Sequence, residues 1–237
     1  MDTKEFLTIN EHVLDRFKEI APGTFRHCQN VAQLCDPLAK ELGLKSDDLV
    51  LAATLHDIGK CIGPDNFIEN QIAGVNAHDK LDPVVSFQLI SRHLSDSVLK
   101  LVQLDVAPSV IKIVSEHHGN STIKSIWIKA KEVYKGADIE DHYKYRSVKP
   151  TSVESCVLMC CDVVESACRA LANNGKLKEY KVTIDKLIGC LIEDEQLDIL
   201  SLGQLRIIKK ILTSEISNIY HKRLDYDEEE EKQIKEN

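Results

Sequence analysis

His27, the adjacent pair His56-Asp57, His93, the adjacent pair His117-His118, and Asp162 are the side chains of this sequence most suited to chemistry. Imidazole nitrogens and carboxylate oxygens, with no thiolate among them, are ligands for divalent transition metals. His56-Asp57 closes an apolar helical stretch, LVLAATLHDIGK, where neither side chain is expected as filler. Neighbouring residues on a helix point about 100° apart, so the two reach a site from different angles. A carboxylate at that point can bridge two cations, one on each oxygen. His117-His118 closes SVIKIVSEHHG, and Gly119 sits where a helix ends. Imidazolium at a helix C-terminus is also favoured by the dipole alone, which is the bland alternative for that pair. Asp162 stands in the apolar run SCVLMCCDVVESA. A lone carboxylate there is costly to bury unless it is metal-bound or paired, with Arg169 or a lysine as the alternative partner.

Elements that would position these residues are helical. Apolar residues recur at helix spacing over 6–20, 31–42, 49–58, 84–94, 98–104, 110–114, 153–171, 184–192 and 205–220. No alternating run of strand length stands out. Asp82-Pro83 puts a cap residue before a first-turn proline, and Ser46-Asp47-Asp48 precede an apolar run. Pro37 predicts a kink or break in its helix. Two segments read as irregular and long for loops, 61–80 and 135–150, which is where function often sits. From Asp225 onward the chain is acidic, with four consecutive glutamates at 228–231, and a solvated or disordered tail is expected.

A chain of 237 residues with 43% hydrophobic content can bury its own core. The net charge of −8 and pI near 5.6 argue against a nucleic-acid polymer as partner. They leave a nucleotide substrate open, because metal ions supply local positive charge. The eight cysteines form no CxxC pair and lie in apolar stretches, so they read as reduced, buried thiols. No run of 18 apolar residues suggests a membrane span, and the polar start shows no signal peptide. A cytoplasmic location is expected, or the cytoplasmic face of a membrane if the chain is an excised domain.

The order H…HD…D, here His27, His56-Asp57 and Asp162, resembles the signature of the HD-domain phosphohydrolases. The added His93 and His117-His118 resemble the dinuclear branch of that superfamily. Closer similarity is to the HD catalytic domain of the PgpH-type cyclic di-AMP phosphodiesterases, membrane proteins with seven spanning helices. The matching stretches are GTFRHCQNVAQL (23–34), HDIGK (56–60), FIENQ (67–71), NAHDKLDP (76–83), EHHG (116–119), KPTS (149–152) and QLDILSLGQL (196–205). YKYRSV before KPTS departs from the Tyr-Pro-Gly-Pro turn of that family, which bears on nucleotide preference.

The resemblance implies an all-α fold, a single HD-type helical bundle over residues 1–224 with an acidic tail over 225–237. It implies two divalent transition-metal ions, with iron or manganese favoured. His27, His56, Asp57 and Asp162 would hold one; Asp57, His93, His117 and His118 would hold the other, with Asp57 bridging. Two such ions about 3.5–4 Å apart can share a hydroxide that attacks phosphorus in line. The expected activity is hydrolysis of cyclic di-AMP to linear 5′-pApA. Lys60 is expected to contact a phosphate oxygen. His78 is expected to contact phosphate or protonate the leaving oxygen, with Lys80 beside it. Arg146 and Lys149 are weaker candidates for a second phosphate or a base, and a solvated role suits them as well. Alternatives are a cyclic di-GMP, linear dinucleotide or nucleoside phosphate substrate, or a catalytically silent nucleotide-binding module. The HD-GYP branch ranks lower because HHGNSTIK lacks its GYP motif.

Overall fold

In this computed structural model the described residues are 10–71, 76–135 and 139–235, with side chains as far as Tyr220. They form α1 (Glu11–Ile20), α2 (Pro22–Leu42), α3 (Ser46–Leu55), α4 (Pro83–Gln103), α5 (Pro108–Glu116), α6 (Lys124–Val133), α7 (Val153–Asn173), α8 (Tyr180–Glu193) and α9 (Leu202–Lys235). Short 3-10 turns fill 58–62, 64–66, 68–70, 140–143 and 177–179. No strand occurs among the described residues, only an isolated bridge between Thr122 and Lys144. The fold is all-α, as the apolar periodicity predicts.

At the centre lies α2, packed on α3, α7 and α9. Leu34, Leu38, Leu49, Leu55, Leu158 and Ile208 are fully buried among these helices. A Leu-sized side chain removed from water contributes about 1.5–3 kcal/mol, so this interior holds the helices in register. The cysteines are all free thiols, six of them buried within it.

Several expectations change in detail. Residues 84–94 and 98–104 belong to one helix, α4, begun by Asp82, whose carboxylate accepts the Val84 N–H at 2.8 Å. Polar Ser95 to Ser97 interrupt the apolar spacing without interrupting the helix. No break occurs at Pro37, where α2 runs on to Leu42; packing on three neighbouring helices outweighs the single backbone bond that proline removes. The 49–58 stretch stops being α-helical at Leu55 and tightens into a 3-10 turn. α6 falls on a stretch not predicted as an element; its lysines mask a short apolar face of Ile126, Trp127 and Ala130. The backbone of α9 runs on through the acidic segment to Lys235, where a solvated or disordered tail was expected. No helix among the described residues is long and apolar enough to cross a membrane.

Candidate metal centre

His27 comes from the first turns of α2, and His56 closes α3. Asp57 begins the turn 58–62, His93 lies midway along α4, His117 and His118 end α5, and Asp162 faces inward from α7. Two glycines allow this convergence. A Cβ on Gly59 would meet the His93 carbonyl at 2.3 Å and the Ser97 nitrogen at 2.4 Å. Only glycine lets α4 cross the HD turn so closely. Gly119 has φ +52°, the left-handed conformation that ends α5 directly after the histidine pair.

The motifs around the ligands act as ties. Asn70 of FIENQ accepts the Gly23 and Thr24 N–H groups at 2.9 and 3.1 Å, satisfying the start of α2. Glu69 accepts the Thr24 hydroxyl at 3.0 Å and pairs with Lys60 at 2.9 Å. Glu116 of EHHG accepts the Thr151 N–H at 2.9 Å and its hydroxyl at 2.7 Å, so KPTS holds the start of α7 against the histidine pair.

Seven expected residues converge in overlapping groups, each with its ligand atoms within 4.8 Å of one another: Asp57, His93, His117, His118; His27, His56, Asp57; and His56, His117, Asp162. His27 Nε2 lies 3.0 Å from Asp162 Oδ1 and 3.7 Å from Asp57 Oδ2. His56 Nε2 is 3.3 Å from Asp57 Oδ2, and His93 Nε2 is 3.2 Å from Asp57 Oδ1. Asp57 thus faces histidines on both of its oxygens. His93 and His118 meet through their Nε2 atoms at 3.0 Å.

Three rings are aimed by the same device. Nδ1–H of His56, His93 and His117 donates to the carbonyl three residues back, Ala53 at 2.8 Å, Ile90 at 2.6 Å and Val114 at 2.6 Å. That fixes the tautomer and leaves Nε2 as the free donor atom for a cation. His56 Nε2, His117 Nε2 and Asp57 Oδ1 are buried without a hydrogen-bond partner. Buried polar atoms are rarely left so. The donor set fits divalent cations that would satisfy all three.

Burial pushes the pKa of His117 down to about 3, and neighbouring His56 and His93 reinforce this. His93 is lowered as well, chiefly by burial, as is His118, where the adjacent histidines add to it. These rings are therefore neutral, the form that binds metal. Burial opposes charge on His27 too, but hydrogen bonds and attraction from Asp162 and Glu165 outweigh it and raise its pKa to about 10, so a cation bound there would displace the Nε2 proton.

The remaining candidates are placed differently. Lys60 is at the centre, with its ammonium 2.7 Å from Asp57 Oδ2. His78 is buried with Nε2 donating to the Asn66 carbonyl at 2.7 Å, so the ring pins the loop. Lys149 is paired with Glu195 at 2.6 Å, a partner 46 residues away in sequence. Lys80 and Arg146 are exposed. His78, Lys80, Arg146 and Lys149 make no hydrogen bond or ion pair with the seven clustered residues.

Sequence reasoning passed over three residues. Glu69 lay inside a quoted motif without a role. Glu165 stands three residues after Asp162, one helical turn on and on the same face, which was the available signal. Tyr145 lies on the second irregular segment, and its ring stacks on His118 at 4.2 Å and 19°. Backbone bonds from Tyr145 N–H to Ser121 (3.0 Å) and from Ile123 N–H to Tyr143 (2.9 Å) set it there. A cavity of about 250 Å³ adjoins this place, walled by His117, His118 and Tyr145 and by apolar Ile123, Met159 and Leu191. The larger cavity, about 560 Å³ between α1, the turn 58–62 and α4, touches none of the seven candidate ligands.

The HD domain family model matches residues 24–167. This chain belongs to the HD domain family. All seven ligand candidates of this HD domain lie inside the matched segment. It is 30% identical over 234 residues, 96% of its length, to the cyclic-di-AMP phosphodiesterase PgpH of Listeria monocytogenes serotype 1/2a (strain 10403S), covering 32% of that protein. It is 32% identical over 226 residues, 92% of its length, to PgpH of Bacillus subtilis (strain 168), covering 31% of it. The chain thus spans about a third of the length of these relatives. The crystal structure of the L. monocytogenes PgpH HD domain in complex with cyclic-di-AMP superposes with a TM-score of 0.80 at 31% identity, over 88% of this chain and 97% of that one.

Proposed function

We propose that this HD domain is a metal-dependent phosphodiesterase that hydrolyses cyclic di-AMP to linear 5′-pApA. One observation carries the reading. His56 Nε2, His117 Nε2 and Asp57 Oδ1 are orphaned inside a seven-residue nitrogen-and-oxygen cluster that crosses five helical elements. Similarity to the PgpH phosphodiesterases supports it and points to the substrate.

His27, His56, Asp57 and Asp162 would hold one ion, and Asp57, His93, His117 and His118 the other, with iron or manganese favoured by the donor set. Bound there, the ions supply Lewis acidity toward phosphate oxygens and an activated water. The chain does the rest. Lys60 balances Asp57 and Glu69 and brings an ammonium to the edge of the cluster, in reach of a phosphate oxygen. The 250 Å³ cavity beside His117 and His118 offers an apolar wall to a nucleobase. Tyr145 holds the His118 ring from its open face.

The test is a chromatographic assay of manganese-loaded protein on cyclic di-AMP and cyclic di-GMP in parallel. Conversion of cyclic di-AMP to pApA, with cyclic di-GMP largely intact, is expected. Cleavage of neither by protein shown to carry metal would overturn the substrate and redirect the search to linear dinucleotides and nucleoside phosphates.

A further inference from the structure

His27 is aimed by a different device from His56, His93 and His117. Each of those donates Nδ1–H to a carbonyl of its own helix, whereas His27 donates Nδ1–H across to the carboxylate of Glu165 on α7. Glu165 is fully buried. Its Oε1 accepts from Asn30 Nδ2 at 2.7 Å and from the Tyr220 hydroxyl at 3.0 Å. Its Oε2 takes His27 and lies 3.4 Å from Arg169 Nε. Such complete saturation is what a buried carboxylate needs if it is to stay ionised.

The contributors come from three helices. His27 and Asn30 share a face of α2; Asp162, Glu165 and Arg169 share a face of α7; Tyr220 comes from α9. Tyr220 is 53 residues beyond the end of the segment matched to the HD domain family. The far side of His27 is therefore a fully hydrogen-bonded network, although nothing in the cluster requires a carboxylate there except the ring it holds.

We infer that Glu165 is the positioning residue for His27, and that Tyr220 of the last helix holds Glu165 in place, so that half of the metal centre depends on a helix outside the matched segment. The inference rests on the metal reading proposed above. A carboxylate on Nδ1–H keeps the Nε2 lone pair pointed at the cluster and makes the imidazole a stronger donor. Loss of that support weakens the ion held by His27, His56, Asp57 and Asp162. It leaves the ion held by Asp57, His93, His117 and His118, whose rings are fixed within their own helices.

The test is manganese titration of the full chain by calorimetry, with bound metal counted by elemental analysis after gel filtration. Wild type, Glu165→Gln and Tyr220→Phe are compared. Two equivalents are expected for the wild type. Glu165→Gln is expected to keep one equivalent and to bind the second about 10–100-fold more weakly. Tyr220→Phe, which removes a hydroxyl and keeps the ring, is expected to weaken the same equivalent several-fold. A purely structural role would shift unfolding temperature without separating the two ions. Glu165→Gln binding both ions as tightly as wild type overturns the inference. If that variant does not fold, Tyr220→Phe decides: unchanged manganese affinity overturns the link to the last helix, and selective weakening supports it. A wild-type chain that takes up no manganese is a different outcome, and overturns the metal reading itself.

Discussion

Asp57 is the residue on which the centre turns. Its two oxygens face His56 and His27 on one side and His93 on the other, at 3.2–3.7 Å. Asp57 is shared by two of the overlapping groups of candidate ligands. Asp57→Ala is therefore expected to abolish manganese retention and phosphodiester cleavage together, checked by elemental analysis beside the chromatographic assay. A variant retaining two ions would remove Asp57 from the bridging position. Lys60 makes a contrasting case. Its ammonium is 2.7 Å from Asp57, so Lys60→Ala takes a positive charge away from the ligands. Cation uptake is expected to be kept, while turnover is expected to fall about tenfold or more through the lost charge-assisted contact. Loss of metal in Lys60→Ala would instead make the lysine a support for Asp57 geometry.

Between elements, the decisive contact is the crossing of α4 over the HD turn. Ser97 accepts the Gly59 N–H at 2.9 Å, and the His93 carbonyl lies where a Gly59 side chain would be. Gly59→Ala forces α4 outward, with His93 on it. Overpacking of this kind costs about 1–3 kcal/mol. The expected outcome is a lowered unfolding temperature together with weakened manganese binding, because one displacement moves both. Thermal denaturation and metal titration of the same sample check this; normal metal affinity in a destabilised Gly59→Ala protein would separate the crossing from the site. The crossing was only half legible in sequence. Asp82-Pro83 announced the start of α4, but the polar residues 95–97 made one helix look like two. The periodicity reports which faces are apolar, and it is silent on a helix that continues through a polar turn.

For the whole molecule, a net charge of −8 sets the background in which acid groups titrate. Glu69 is the clearest case outside the ligand set. Burial raises its pKa, and the Lys60 ammonium more than offsets that, bringing it down to about 2. A group depressed in the folded state contributes stability above its unfolded pKa, about 4.5 for glutamate, and that contribution is lost as pH falls toward 2. Metal-free Glu69→Gln is thus expected to show a shallower loss of stability between pH 4.5 and 2.5 than wild type. Urea denaturation at stepped pH measures it, and parallel curves would show that the Lys60–Glu69 pair contributes nothing to acid lability.

The sequence by itself determined the residue types of the centre, the all-α class and the apolar faces. His and Asp inside apolar helical stretches are costly to bury without partners, and helix periodicity is a local property of the chain. The tertiary structure decided which charged groups lie beside the cluster and which are paired elsewhere. Lys149, a phosphate candidate in sequence, pairs at the surface with a glutamate 46 residues on. His78 was a proton donor candidate, and the Asn66 carbonyl holds it. Glu165 drew no attention, and it is the buried carboxylate behind His27, reached by Tyr220 from the other end of the chain. Electrostatic partnership depends on distance in space and on burial, and neither is written along the chain until the helices have packed.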